Sequence, residues 1–171
     1  MSFFKRLLNG RPDDLLPYRA LWHRIVALSR DPRWYREGGI ADSVAGRFDA
    51  VTLVLCAVLL RMEQQPELIE GSARLTELFV SDMDSQMRQS GVGDLVVGKH
   101  MGKLMGALGG RLGAYREGLA QDNAELTAAI GRNVNLREGA DPAEAAAMLR
   151  KLAKGLAEID SAALLSGVIS L

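Results

Sequence analysis

An all-α fold is predicted by three features of the sequence. Apolar residues recur at helical spacing from about residue 14 onward, and the β-branched residues fall inside these longer patterns rather than in alternating runs. Prolines and side-chain acceptors stand where helices would start, and glycines where they would stop. The 171 residues, 48% of them hydrophobic, are enough to bury a core without staples. The architecture expected is a compact multi-helix domain over residues 14–120, a C-terminal helical appendage over 121–171, and an N-terminal amphipathic segment over 1–13.

In that first segment Phe3, Phe4, Leu7 and Leu8 fall on one side of a helix and Lys5 and Arg6 on another. It can lie on a membrane surface or dock as a first turn. It has neither the apolar core of a secretory signal nor the composition of a transit peptide.

A helix is expected over about 14–30, with Pro17 in its first turn, where a missing N–H costs little. Asp31-Pro32 then reads as a cap and first helical position, and "RWYREGG" as one short turn halted by two glycines.

Asp42 is expected to cap the longest apolar helix, which runs to about Gln65. Phe48, Val51, Leu55, Val58, Leu59 and Met62 form one stripe, and Leu53, Val54 and Leu60 cover the remaining sides. A helix apolar all round is buried on most sides, so this is the central helix. Its uninterrupted apolar run, Ala50 to Leu60, is too short to span a bilayer, which takes about 20 residues. Cys56 inside that run is a small buried hydrophobe.

After Pro66 a turn carrying Leu68 and Ile69 leads to a helix over about 72–89. Its apolar row is Leu75, Leu78, Phe79, Met83 and Met87, and the other face holds Glu77, Ser81, Asp84 and Arg88. Asp84 and Arg88 are spaced to pair one turn apart.

The stretch "SGVGD" reads as a helix stop and a helix start, with Gly91 in the C-terminal turn and Asp94 accepting from the next helix's amides. That helix runs from 94 to about 120. Beside its apolar stripe lies a row at strict spacing of four: Gly98, Gly102, Gly106, Gly110, Ala114, Gly118. Each glycine costs about 1 kcal/mol relative to Ala in a helix interior, so the row implies close backbone approach. Packing on the central helix is the first reading, a groove for a partner helix the second, and a break at Gly109-Gly110 is allowed by either. Further helices are expected over 123–133 and 142–158, with a short one beginning at Asp160.

The same stretch contains "GDLVVGKH", one residue from the phosphate-loop pattern G-x-x-x-x-G-K-[ST]. His100 stands where a hydroxyl would hold Mg²⁺, and the preceding segment is helical rather than a strand, so both requirements fail. Asp82 and Asp84, two apart on a helix, point about 200° apart and cannot converge on a metal or an acid/base reaction. His23 and His100 lack neighbouring ligand patterns. No enzyme, metal or cofactor is expected.

Formal charge is zero, with 21 basic and 21 acidic residues, which gives no global field to attract DNA. Residues 1–36 hold eight Arg or Lys against three Asp, net +5, and residues 37–90 hold four against nine, net −5. Either the two parts pair within the fold or a basic face meets anionic lipid or RNA. The second option leaves open a basic ribosome-, RNA- or membrane-surface-binding adaptor.

The stretches "YRALWHRIVALSRDPRWYREGGIADSVAGRFD" and "FVSDMDSQMRQSGVGDLVVGKHMGKLMGALGGRLGAY" carry a resemblance. Arg30, Pro32 and Tyr35, then Asp42 with Gly46-Arg47-Phe48, then Asp82-Met83-Asp84, Arg88, and Gly91-Val92-Gly93-Asp94 with Lys99 stand in order and spacing. Together they resemble the ubiquinol-cytochrome c chaperone family, assembly factors for the cytochrome bc1 complex, over about residues 18–119. Ser43 and Gln89 depart from the pattern, which has Thr and Glu there.

The resemblance implies an all-helical, non-enzymatic protein that binds newly made cytochrome b. A ribosome contact belongs to mitochondrial members; this chain looks like a bacterial one, expected to be cytoplasmic, with peripheral attachment to the inner membrane left open. The motif residues Arg30, Tyr35, Asp42, Arg47, Asp82, Asp84, Arg88, Asp94 and Lys99 are the candidate partner contacts, with Gly102 and Gly106 of the glycine row. Methionines 83, 87, 101 and 105 are added as side chains that adapt to varied apolar partners.

Overall fold

The computed structural model describes residues 12–89 and 94–170. Helix α1 covers Pro12–Ser29, α2 Pro32–Arg36, α3 Val44–Glu63, α4 Ile69–Gln89, α5 Asp94–Ala120, α6 Asn123–Asn133, α7 Pro142–Ala157 and α8 Ser161–Leu165, with a 3₁₀ turn at Pro66–Leu68. No strand occurs among the described residues; one isolated antiparallel bridge joins Ile40 to Leu136. Residues 1–11, with Phe3, Phe4, Leu7 and Leu8, and the turn at Gly91 and Gly93 lie outside the described residues.

Helix α3 is the centre. From Asp49 to Met62 every residue but Val51 is buried, and α1, α4, α5 and α7 pack around it. Helix α6 fits between α5 and α7, and α8 rests on α1. Leu126, Ile130, Leu149, Leu152 and Leu156 join the same core as the residues of α3, so the helices beyond residue 120 share that core.

The element ends follow from local chemistry. Asp31, Asp122, Asp141 and Asp160 each accept a first-turn amide, removing one of a helix's orphan donors. Helix C-termini are closed by arginines from elsewhere in the chain. Arg61 of α3 donates to Leu156 O at 2.9 Å and Ile159 O at 2.8 Å, and Arg150 of α7 to Gly118 O at 2.9 Å and Leu119 O at 3.0 Å. A guanidinium there satisfies orphan carbonyls and complements the negative end of the helix dipole.

Three expectations are corrected. Ser43, not Asp42, caps α3, its hydroxyl accepting from the Gly46 amide at 3.1 Å; Asp42 is occupied by Arg47. Glu77, placed on the face of α4 opposite the apolar row, is only 7% exposed, because Arg74 one turn earlier supplies its charge partner at 3.2 Å. Most of the glycine row does not pack on the central helix. A Cβ placed on Gly98, Gly102, Gly106 or Gly110 would meet nothing within 4 Å. A row at spacing four drifts about 40° per step and winds off the packed face. Helix α5 meets the core instead through Met101, Leu108 and Tyr115. It also runs through Gly109 and Gly110 without a break.

Candidate functional site

The site is built first by the α1–α2 corner. Asp31 accepts from the Arg33 amide at 2.9 Å and pairs with its guanidinium at 2.8 Å. These bonds hold the Asp31 carboxyl down at about 2. Trp34, fully buried, donates its indole N–H to Leu28 O at 3.0 Å. One residue on, the Tyr35 hydroxyl donates to Ser29 O at 2.9 Å, so the half-buried ring is clamped across the corner. Burial, followed by the negative charge of Asp42, raises its phenol above the ordinary value.

The first turn of α3 is pressed onto the segment before it. At Gly46 a Cβ would lie 1.9 Å from Ala41 O and 3.3 Å from the Ile40 side chain, so only glycine admits this approach. That contact sets the neighbouring Arg47 and Phe48. Arg47 Nε donates to Asp42 Oδ1 at 2.7 Å, an exposed pair that keeps the Asp42 carboxyl below the usual carboxylate range.

The ring of Phe48 faces two neighbours. Its centroid lies 6.4 Å from that of Phe79, and the Arg111 guanidinium sits 5.5 Å from it. Arg111 is fixed in turn by Asp49 at 2.6 Å, and Asp49 accepts the Asn135 amide at 2.8 Å.

These parts enclose an open cleft of about 1370 Å³. The corner contributes Ser29, Arg30, Pro32, Tyr35 and Arg36; the start of α3 contributes Asp42, Val44, Ala45, Arg47 and Phe48. Met83, Gln86 and Met87 of α4 and Leu104 of α5 complete it. Val44 is 89% exposed, far beyond what a core-forming valine shows. An apolar floor bordered by arginines can hold an apolar segment and orient it by charge.

Of the sequence candidates, Arg30, Tyr35, Asp42 and Arg47 converge on this cleft, with Met83 and Met87. Asp82, Asp84, Arg88, Lys99, Gly102 and Gly106 do not line it. Asp84 and Arg88 pair at 2.7 Å along α4, as their spacing predicts, and Asp82 is half-buried on the same helix. Lys99, Gly102 and Gly106 are exposed on α5. Asp94 is the first residue of α5, and its side chain lies outside those described. Met101 is buried in the core and Met105 packs partly against it.

Arg36, Val44 and Asp49 are among the contributors that escape sequence reading. Asp49 had a legible signal, since a carboxylate one turn into a helix apolar all round must have a buried partner. Among the described residues no group of three or more His, Cys, Asp or Glu could hold a metal ion, and no helix is long and apolar enough to cross a membrane.

Arg33 pairs locally with Asp31, Arg47 with Asp42, and Arg74 with Glu70 and Glu77, whereas Asp49 and Glu63 of the acidic stretch pair with Arg111 and Arg116 of α5. Lys99 and His100 of the near phosphate-loop pattern lie within α5, as does Gly98.

A family model described as "Ubiquinol-cytochrome C chaperone" matches residues 36–171. The match runs past residue 119, where the resemblance in the sequence motifs stops, so it takes in α6, α7 and α8. No match occurs among curated proteins. The crystal structure of the Cbp3 homolog from Brucella abortus is similar, with 31% sequence identity and a TM-score of 0.78 over 91% of this chain and 88% of that chain.

Proposed function

The chain belongs to the ubiquinol-cytochrome C chaperone family, and from that premise we propose that it binds newly made cytochrome b in the cleft between α2, α3 and α4 during assembly of the cytochrome bc1 complex. The observation that carries this reading is the convergence of Arg30, Tyr35, Asp42 and Arg47 on one apolar cleft with Met83 and Met87. The client is an apolar helical segment, and the chain works at the inner-membrane surface where such a client is delivered.

The chemistry asked of the cleft is holding, without turnover. Each large apolar side chain seated there contributes about 1.5–3 kcal/mol. Three or four such anchors give about 5–12 kcal/mol, and association consumes at least several of these. The resulting hold is weak enough for the client to leave once its proper neighbours arrive. Methionine suits this role because its unbranched side chain repacks around different contours.

Photocrosslinking in cells that make the protein tests the reading. A photoreactive residue at Met87 is expected to capture cytochrome b, and one at Gly102, outside the cleft, is not. Recovery of cytochrome b from neither position, or only from Gly102, would remove the cleft from the function.

A further inference from the structure

Arg30 and Arg36 border the cleft in exposed positions, and among the described residues neither has an ion-pair partner. Arg47 also borders it, but its guanidinium is taken by Asp42 at 2.7 Å. Among the described residues, the charged ones lining the cleft are therefore three arginines against one aspartate, net +2, in a chain whose formal charge is zero. This surplus lies beside Phe48, Met83, Met87 and Leu104, so anything seated on those side chains brings its own flanking groups to the arginines.

We propose that the occupant is an amphipathic helix carrying a carboxylate beside its apolar stripe, the carboxylate pairing with Arg30 or Arg36. This rests on the reading of the cleft as the client site. Guanidinium suits a carboxylate because its planar fork can give two parallel hydrogen bonds. The pair adds register to an otherwise greasy contact. A slide of one turn moves the helix by about 5.4 Å, which leaves the apolar seats filled but separates carboxylate from arginine.

The test uses the full chain and two fluorescent helical peptides of about 14 residues, roughly four turns. They share a Leu/Met stripe and differ only in one Glu or Gln beside it. At low salt the Glu peptide is expected to bind about fivefold to tenfold tighter, as one solvent-screened charged hydrogen-bonded pair allows. High salt should shrink the ratio. Arg30→Gln/Arg36→Gln should abolish the difference between the two peptides.

Equal binding of both peptides by the unaltered chain overturns carboxylate recognition and leaves the cleft reading standing. Failure of both to bind, or binding that Met83→Asp leaves intact, overturns the cleft reading as well. Equal peptide binding together with capture of phosphatidylglycerol vesicles, lost in the double variant, overturns the proposal in favour of a lipid headgroup.

Discussion

Asp49 and Arg111 form a buried ion pair at 2.6 Å that ties the central helix to α5, with their side chains 2% and 13% exposed. The pair is also a support for the cleft, because the same guanidinium lies over the ring of Phe48, and the carboxylate holds the turn after α6 through Asn135. Removing one partner strands the other in a low-dielectric site. Asp49→Ala is expected to destabilise the fold by about 3–5 kcal/mol. Arg111→Met should cost a comparable amount, and the double variant less than the two losses added. Urea unfolding of the four proteins measures the coupling; strict additivity would mean the pair is not a unit.

The cap at Asp31 gives a pH dependence whose sign follows from its carboxyl being held at about 2 rather than the ordinary 3.8. The depression is caused first by hydrogen bonds from Arg33, side chain and then backbone. A depressed carboxylate stabilises the fold fully above its unfolded value and loses that contribution as the pH falls through its folded value. Asp31→Ala should therefore lower stability by about 1 kcal/mol at neutral pH. The gap between variant and parent should close between about pH 4 and pH 2. A difference that persists unchanged at pH 2 would refute the assignment.

Cys56 is fully buried in α3, and desolvation pushes its thiol up to about 12. The thiolate is the reactive form, so the native protein should resist thiol reagents at pH 8 and react fully once unfolded in urea. Labelling at the rate of a free thiol under native conditions would show that the central helix is not closed on all sides.

Much of the fold is written locally in the sequence and is legible there. The ends of α5 and α6 coincide with glycines, acids and apolar periods that act within a few residues, and the burial of α3 follows from its lack of a polar face. The cleft is different, because it is assembled from residues between 29 and 104 that no spacing rule relates. Arg30, Tyr35 and Arg47 are reachable through the family resemblance, whereas Val44 and Arg36 carry no signal of their own. Periodicity also cannot say on which side of a helix a neighbour will sit. That is why the glycine row, legible as a costly pattern, does not reveal that Gly102 and Gly106 face open space while Gly118 faces Leu126.

Those contrasting glycines provide the most direct check on the packing. At Gly46 an added methyl group would overlap Ala41 O at 1.9 Å, and relief requires moving backbone that carries Asp42 and Arg47. Gly46→Ala is therefore expected to cost about 1–3 kcal/mol and to disturb the cleft. At Gly118 the methyl group would press within 2.8 Å of Leu126 Cα, so Gly118→Ala should also destabilise by forcing α6 away from α5. Gly102 and Gly106 meet nothing, and replacing either with Ala removes a helix penalty of about 1 kcal/mol. Each of these two variants should raise the melting temperature while the first two lower it. Destabilisation by Gly102→Ala or Gly106→Ala in the isolated chain would show that a neighbour covers this face of α5. Unchanged folding combined with lost capture of cytochrome b in cells would instead assign the face to the partner.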